Sequence, residues 1–466
     1  MTENYPQIHL YIMTKSKWDS IFAMIPWLED IEKIDPTEMY TDKGGARTRP
    51  LKYVEYKSAS VQLMGKIFKI LQPFDWENWE EGINILKEQF FTDLDLQTTC
   101  KLLTIILYYK ESTGKLSSLG IPCRAQDLED GRVLKLLKQL KINVEQELKK
   151  ECEKYHAYYP QDTQFTRYSR LLHSKWCEKN GYPIEQSEKG CFLGNFGDAD
   201  YAKNGKVNFL TKNIRNLVIE ELNNAKEPKG LIQEDGIWTN LLSSETFRLN
   251  LFGELRLNLT LATSFFQNIF RIKLGNFRKI SGKKIDKVIS VLFDYSPYRE
   301  NKNFTGDQAT FDVFVEYMSE GKKCFIGIEV KYAETLREEA DKVETTYQKH
   351  ETEYLQFATA DIFKQECIEN LRRAPLFEIW RYHLLSISLL KNNLYEDGFF
   401  LFLFPRGNDE CHKSVWQYTE QLRLQFSDWE DERGFYWRAL DDFTENLHNV
   451  VNQEWTKQLR ERYFGT

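Results

Sequence analysis

The sequence predicts a mixed α/β protein, with a mainly helical region in front of a central sheet flanked by helices. Two observations predict this fold class. Apolar residues recur at helical spacing in the first third of the chain, as at Trp18, Ile21 and Ile25. Farther along, alternating or continuous apolar runs typical of β-strands lie between helical segments. We expect a mainly helical N-terminal domain over residues 1–155 and a second domain over residues 156–466.

The composition fits a soluble globular protein. The chain has 466 residues, of which 41% are hydrophobic and 29% are charged, and this length suffices for two or three domains. Its net charge of −7 counts mildly against nucleic acid as a partner, although a local basic groove can exist within an acidic protein. None of the eight cysteines forms a CxxC pair, which predicts reduced thiols. We recognise no signal peptide or membrane span, so we expect a cytoplasmic chain without a membrane partner.

Helical periodicity covers most of the N-terminal region. A loop around Gly44, Gly45 and Pro50 interrupts it. The predicted helices cover residues 13–34, 59–74, 76–91, 96–113 and 132–150. The basic stretch in the last of them is typical of a solvated helix face.

The second region alternates helices with strands. A short helix within residues 164–184 is followed by predicted loops over residues 190–207. The remaining predicted helices cover residues 208–225, a segment that begins near Ser243 or Ser244, and residues 334–357, 366–392, 414–426 and 441–464. The predicted strands cover residues 288–294, the hairpin described next, and the apolar run GFFLFLFPRG.

Residues 311–334 predict a β-hairpin at the centre of the sheet. The polar SEGKK segment forms its turn, and both arms are rich in β-branched and aromatic residues. Strand alternation places side chains on two faces. One face of the first arm carries Phe311, Val313, Val315 and Tyr317, and the other carries Asp312, Phe314 and Glu316. In the second arm, one face carries Cys324, Ile326, Ile328 and Val330, and the opposite face carries Gly327, Glu329 and Lys331.

A turn centred between Glu320 and Gly321 sets the register of this hairpin. It places Asp312 directly opposite Glu329, with Cβ atoms roughly 4.5–5.5 Å apart. Lys331 lies on the same face, one strand repeat of ~6.6 Å away. Two carboxylates this close repel unless a cation lies between them. The pattern therefore indicates a site for a hard cation beside an amine, and the alternative is an ordinary solvated strand face.

Glu245 lies in the first turn of the helix that begins near Ser243. An acid there interacts favourably with the helix dipole, which is one explanation of its presence. The functional alternative is an acid directed from the helix end towards the carboxylates of the hairpin.

The hairpin and the order of the surrounding elements resemble the PD-(D/E)XK nuclease superfamily, with its restriction-endonuclease-like fold. Within it, the chain looks closest to a family of proposed restriction endonucleases. The resemblance covers about residues 160–466, and residues 1–155 fall outside it. The segments that carry it are Asn208-Phe209-Leu210-Thr211, Asn240-Leu241-Leu242-Ser243-Ser244, Asn250-Leu251-Phe252-Gly253, Asp312 and Glu329-Val330-Lys331-Tyr332-Ala333-Glu334.

The resemblance implies a Mg²⁺ site, in which Mn²⁺ can substitute. Asp312 and Glu329 would be its ligands, together with the backbone carbonyl of Val330. Lys331 would be the amine next to the scissile phosphate. Glu245 looks like the helix acid found in part of the superfamily and would allow a second metal ion.

The activity implied by this resemblance is Mg²⁺-dependent endonuclease cleavage of DNA, in restriction or anti-phage defence. RNA as substrate, a structure-specific repair nuclease, and an inactivated nuclease fold that binds nucleic acid or acts as a scaffold stay open as alternatives. Residues 1–155 would regulate the enzyme or recognise its substrate or a protein partner, and a homodimer also stays open.

Overall fold

The computed structural model describes most of the chain after residue 93 and isolated residues before it. The described residues are 93–108, 131–187, 192–225, 236–271, 284–334, 336, 340–423 and 434–465, together with Trp18, Ile21, Phe22, Ile25, Tyr40, Thr41, Tyr53, Val54 and Leu71. The chain divides into two compact units, Met1–Glu153 and Lys154–Thr466. Within the described part, we find no helix with the length and apolar character that crossing a membrane requires.

The described part of the first unit is largely helical, as predicted. It contains helices α1 (Leu96–Tyr108) and α2 (Arg132–Lys154, whose last residue belongs to the second unit). Two short strands, β1 (Tyr40–Thr41) and β2 (Tyr53–Val54), form an antiparallel pair that the sequence did not predict. The predicted helices over residues 59–74 and 76–91 lie outside the described residues, except for Leu71, and so does the predicted loop around residues 44–50.

The second unit contains a mixed sheet flanked by helices, which confirms the predicted fold class. Its strands are β3 (Ile184–Gln186), β4 (Phe192–Phe196), β5 (Lys287–Tyr295), β6 (Phe311–Ser319), β7 (Lys322–Val330), β8 (Asp397–Phe404) and β9 (Phe435–Ala439). Its helices are α3 (Gln164–Asn180), α4 (Ala199–Gly205), α5 (Lys212–Ala225), α6 (Ser244–Leu257), α7 (Leu259–Arg271), α8 (Ala340–Leu355), α9 (Ile368–Leu371), α10 (Leu376–Lys391), α11 (Asp409–Glu420), α12 (Leu440–Val451) and α13 (Glu454–Phe464).

The central sheet has five strands in the order β5-β6-β7-β8-β9. Strands β5, β6 and β7 are antiparallel neighbours, whereas β8 and β9 each run parallel to the strand before them. The strand β7 is therefore central, and its seven C-terminal residues are all buried. This burial on both faces explains why the hairpin is rich in apolar residues, because a central strand must pack against helices on each side.

One hydrophobic core lies between the sheet and helices α6, α7, α12 and α13. The sheet contributes Val313, Val315, Ile326 and Ile328, among others. The helices contribute large aromatic side chains, including Phe247, Phe252, Phe265, Phe443 and Tyr463. Phe247 and Tyr463 pack edge to face with ring centroids 4.6 Å apart, a favoured aromatic geometry.

A second core covers the opposite face and is built with helices α8, α10 and α11. Its strand residues are mainly phenylalanines: Phe314, Phe325, Phe400, Phe402 and Phe404. The helices supply Tyr354, Trp380 and Tyr418. The high aromatic content of the sequence is thus used to fill this side of the sheet.

The structure differs from the prediction at residues 190–207 and at one edge of the sheet. Residues 190–207 were expected to form loops, but β4 pairs with β3 there and helix α4 follows, with the Asp198 side chain accepting a hydrogen bond from the amide of Tyr201. The edge strand β9 was not predicted. These elements are short, and their side-chain patterns are weak beside glycine or polar residues, so tertiary pairing decides their structure.

The start of helix α5 also differs from the prediction. The helix begins at Lys212 rather than near residue 208, because the preceding residues have other hydrogen-bond partners. The buried side chain of Asn208 donates to the carbonyl of Ile237 at 2.9 Å, and Arg462 donates to the carbonyl of Asn208 at 2.8 Å. The side chain of Asn250 also donates to this carbonyl at 3.0 Å. Two of the segments that resemble the nuclease superfamily therefore form a buried polar network that holds helices together.

The position of Phe311 is a further difference. Strand alternation placed Phe311 with Val313 on one face, but Phe311 belongs to the second core together with Phe314. Its ring lies over Gly327, where an added Cβ atom would be 2.4 Å from Phe311 Cε1. Gly327 therefore provides the space that the ring occupies, and regular alternation of the first arm ends at this point.

We expect Gly327→Ala to destabilise the protein by about 1–3 kcal/mol, because the new methyl group overpacks the core against the Phe311 ring. Urea unfolding of the full chain measures this change. In a Phe311→Ala background the same substitution should cost less than about 0.5 kcal/mol, since the clash is gone. An equal cost in both backgrounds would show that the Phe311 ring is not the reason for this glycine.

Candidate active site

The pairing of β6 with β7 brings the predicted carboxylates together. The backbone ladder runs from Ser319 opposite Lys322 to Val313 opposite Ile328. This is the register predicted from the turn. One position beyond the last pair, the same register sets Asp312 level with Glu329, and the charge of Asp312 raises the pKa of Glu329.

The ladder between β6 and β7 ends at Asp312. Here the acceptor for the next amide of β7 is the side chain of Asp312 and not a backbone carbonyl. The amide of Val330 donates to Asp312 Oδ2 at 2.8 Å. On the other side of β7, the amide of Lys331 donates to the carbonyl of Leu403 at 2.9 Å. The carboxylate of Asp312 is therefore fixed against the end of a buried central strand.

Glu329 and Lys331 form a buried ion pair next to Asp312. Lys331 Nζ lies 3.0 Å from Glu329 Oε1 and 2.5 Å from Glu378 Oε1. Glu378 belongs to the first turn of helix α10. The side chain of Glu329 is only 4% exposed, and its Oε2 has no hydrogen-bond partner within the described part of the chain.

Burial and neighbouring charges shift the pKa values of Glu329 and Lys331. Burial raises the pKa of Glu329 well above its ordinary value, and Asp312 and Glu378 raise it further, although Lys331 acts in the opposite direction. For Lys331, burial alone would lower the pKa, but the carboxylates of Glu378 and Glu329 raise it well above its ordinary value. These carboxylates therefore favour the charged ammonium form of Lys331 at neutral pH.

A second group of charges surrounds Arg248, which lies on helix α6. Its Nη1 donates to Asp312 Oδ1 at 2.6 Å, and its Nη2 donates to Asp294 Oδ2 at 2.8 Å. Glu245 Oε1 lies 3.6 Å from Arg248 Nη2. Glu245, predicted as the helix acid, is thus connected to Asp312 through a guanidinium group.

Asp294 lies opposite Asp312 on strand β5. The flanking pairs are Phe293 with Val313 and Tyr295 with Phe311. Asp294 has a φ of +47°, a left-handed conformation that Asp tolerates better than most residues. Burial raises the pKa of Asp294, Arg248 lowers it, and Asp312 raises it, with a net increase above the ordinary value.

Glu334 links the hairpin to the start of helix α6. Its Oε1 accepts a hydrogen bond from the amide of Ser244 at 2.6 Å, and its Oε2 accepts one from the amide of Tyr332 at 3.0 Å. The side chain of Ser243 caps the same helix by accepting from the amide of Glu245 at 3.1 Å, as predicted. These bonds fix the helix end that carries Glu245 and Arg248.

The structure therefore brings all the predicted site side chains into one region and adds three that sequence reasoning did not assign. Arg248 had a signal, because it lies one helical turn after Glu245 and so on the same face. Asp294 was recognised at the end of its strand but given no role. Glu378 had no signal, since nothing in the sequence connects helix α10 with Lys331. The carbonyl of Val330 as a metal ligand stays a prediction.

Among the described residues, acidic groups outnumber cationic groups at this site. The acids are Glu245, Asp294, Asp312, Glu329 and Glu378, and the cations are Arg248 and Lys331. With every group ionised, these side chains carry three excess negative charges in a largely buried region. Such an excess is costly unless protons or a further cation compensate it.

A divalent cation fits this donor set. Glu329 Oε2 is buried without a hydrogen-bond partner among the described residues, and the oxygens of Asp312 retain lone pairs beyond the bonds they accept. The described residues include no group of three or more His, Cys, Asp or Glu side chains arranged to hold a metal ion. Mg²⁺ needs only one or two protein carboxylates, because water supplies its other ligands.

Comparison with known proteins identifies the family. A model of the PD-(D/E)XK nuclease superfamily matches residues 160–465. The chain belongs to the PD-(D/E)XK nuclease superfamily. Residues 13–119 match a second model, described as a family of unknown function. Searches of curated proteins and of solved structures each found no match.

Membership of the PD-(D/E)XK superfamily confirms the predicted resemblance and its extent. Members of this superfamily are generally nucleases. The matched region contains the five-stranded sheet, the hairpin and both charged groups described above. It excludes helices α1 and α2.

We expect Glu329→Gln to stabilise the metal-free protein at pH 8, because it removes a buried carboxylate whose raised pKa shows that its ionised form opposes folding. The raised pKa of Glu329 means that its contribution to stability is present below its ordinary pKa of 4.5 and is lost as pH rises through the raised value. The gain should therefore shrink on acidification towards pH 5. Urea unfolding of the wild type and of Glu329→Gln, in the presence of a chelator at pH 8 and at pH 5, measures this gain in stability. Asp312, Lys331 and Glu378 are left unchanged.

Glu316→Gln on strand β6 is the control with the opposite sign. Burial alone would raise the pKa of Glu316, but hydrogen bonds from Lys323, Tyr395 and Ser290 lower it below its ordinary value. Its ionised form therefore stabilises the fold above that value, and this substitution should destabilise at pH 8. Loss of stability in Glu329→Gln at pH 8, comparable with that of the control, would contradict the predicted penalty.

Proposed function

We propose that this chain is a Mg²⁺-dependent endonuclease that hydrolyses phosphodiester bonds in DNA and acts in restriction or anti-phage defence. The observation that carries the proposal is the meeting of Asp312, Glu329 and Lys331 at the end of the β6–β7 ladder. Two carboxylates and an ammonium group at one place are the residue types that phosphodiester hydrolysis requires. Membership of a nuclease superfamily supports the same activity.

Asp312 and Glu329 would hold the metal ion. A bound Mg²⁺ polarises a phosphoryl oxygen and makes a coordinated water more acidic. Asp312 is kept in place by the amide of Val330 and by Arg248, and Glu329 by Lys331. These contacts reduce the rearrangement that ligand binding would otherwise require.

Lys331 would stabilise negative charge that develops on the phosphate. Its raised pKa keeps the ammonium protonated, so it acts as a fixed positive charge and not as a base. The contact with Glu378 at 2.5 Å gives this ammonium a second fixed partner besides Glu329. A positioned charge of this kind acts most strongly in a site that excludes water, and Lys331 is only 16% exposed.

The alternative functions differ in whether they need the charged residues of the site. An inactivated fold serving as a scaffold would have no use for this cluster of acids, because the ionised forms of Glu329 and Asp294 oppose folding without contributing to a scaffold. An RNase or a structure-specific repair nuclease would use the same charged groups, so substrate assays must separate these from DNA cleavage. A regulatory or recognition role of residues 1–155 and assembly into a homodimer stay predictions.

We expect Asp312→Asn and Glu329→Gln each to abolish both Mg²⁺ binding and cleavage, because each removes a ligand charge. Lys331→Ala should retain metal binding, since an ammonium group does not bind Mg²⁺, and should lower the cleavage rate by ~100-fold or more. Calorimetric titration measures binding. Cleavage of end-labelled DNA and RNA of identical sequence, with Mg²⁺ and with Mn²⁺, measures activity.

The same strands supply matched controls. Glu316 on β6 and Lys323 on β7 form an ion pair of 2.7 Å outside the site. Glu316→Gln and Lys323→Ala should leave metal binding and cleavage unchanged. Cleavage by Asp312→Asn at the wild-type rate would refute the proposed site. Preferential cleavage of RNA would show that the substrate is RNA and not DNA.

A further inference from the structure

Arg248 occupies the middle of an acidic cluster built from three elements. Its side chain is 4% exposed, so its charge is almost completely removed from water. It binds Asp312 on β6 through both the carboxylate at 2.6 Å and the backbone carbonyl at 3.0 Å. It also binds Asp294 on β5 at 2.8 Å and lies 3.6 Å from Glu245 on its own helix.

These contacts use the specific geometry of arginine. The planar guanidinium group presents several N–H donors in fixed directions, stays charged at any relevant pH, and can bind two carboxylates at once. Asp294 and Asp312 lie opposite each other on neighbouring strands, where like charges repel. Arg248 lies between them and compensates this repulsion.

The placement of Arg248 changes the role expected for Glu245. A helix acid near the hairpin carboxylates could hold a second metal ion together with Asp312. In this structure both Glu245 and the Oδ1 atom of Asp312 face the same guanidinium group. The cation that these acids share is therefore part of the protein.

We propose that Arg248 serves as a built-in second cation, so that the site takes one divalent metal ion instead of two. Arg248 is then a positioning residue, which acts on the reaction by holding Asp312 while the metal ion binds between Asp312 and Glu329. This inference rests on the proposed function, because it concerns the metal site of that reaction.

Arg256 is a matched control on the same helix. Its Nη2 lies 2.6 Å from Glu221 Oε1, and its side chain is 21% exposed, so it forms a partly buried ion pair outside the acidic cluster. Replacement of Arg256 removes a guanidinium group from helix α6 but leaves Arg248, with its contacts to Glu245, Asp294 and Asp312, in the protein.

The test is to count Mn²⁺ ions bound to the full chain by calorimetry and electron paramagnetic resonance, with folding checked by circular dichroism. The wild type and Arg256→Met should bind one ion per chain. Arg248→Met should bind two, because Glu245, Asp294 and Asp312 lose their shared cation. Arg248→Lys retains the charge but not the two-sided geometry, so it should bind one ion at least ~10-fold more weakly.

The outcomes separate this inference from the proposed function. Two ions on the wild type would overturn the role of Arg248 and leave the metal-dependent nuclease intact, whereas no ion would overturn both. One ion on a folded Arg248→Met variant would also overturn the inference. If Arg248→Met does not fold, the Arg248→Lys variant tests the inference. A Mn²⁺ affinity of Arg248→Lys equal to that of the wild type would show that Arg248 does not position Asp312.

Discussion

The antiparallel pairing of β6 with β7 is the constraint on which the site depends. A register fixed by the turn after Ser319 carries through the whole ladder and places Asp312 opposite Glu329. The ladder stops there, and the side chain of Asp312 accepts the amide hydrogen of Val330. Because helices cover both faces of the sheet, this strand end cannot shift without disturbing two cores. The carboxylate is thus positioned by the fold as a whole.

Negative charge is concentrated at the end of the β6–β7 ladder, and the repulsion between these charges opposes folding. Arg248 compensates the acids on one side of Asp312, and Lys331 compensates Glu329 and Glu378 on the other side. Glu329 still has a raised pKa and a buried oxygen that no group in the described part of the chain satisfies. Proteins commonly retain such unfavourable arrangements at functional sites, where a ligand compensates them. We propose that a divalent cation between Asp312 and Glu329 provides this compensation.

Sequence reasoning predicted the parts of this architecture that are determined locally. The hairpin register followed from the turn and strand alternation, and the helix start at Ser243 followed from its capping side chain. Phe311 was assigned to the wrong face because the space above Gly327 depends on tertiary packing. Glu378 was missed for a similar reason, since its contact with Lys331 joins elements that only the fold brings together. The catalytic roles of the predicted residues stay predictions.

Diffraction from crystals grown with Mn²⁺, collected at the manganese absorption edge, tests the central claim most directly. We expect one anomalous peak per chain, within bonding distance of the Asp312 and Glu329 carboxylates, with Arg248 still bound to Asp294 and Asp312. No peak between these carboxylates, at a Mn²⁺ concentration that supports cleavage, would contradict the account.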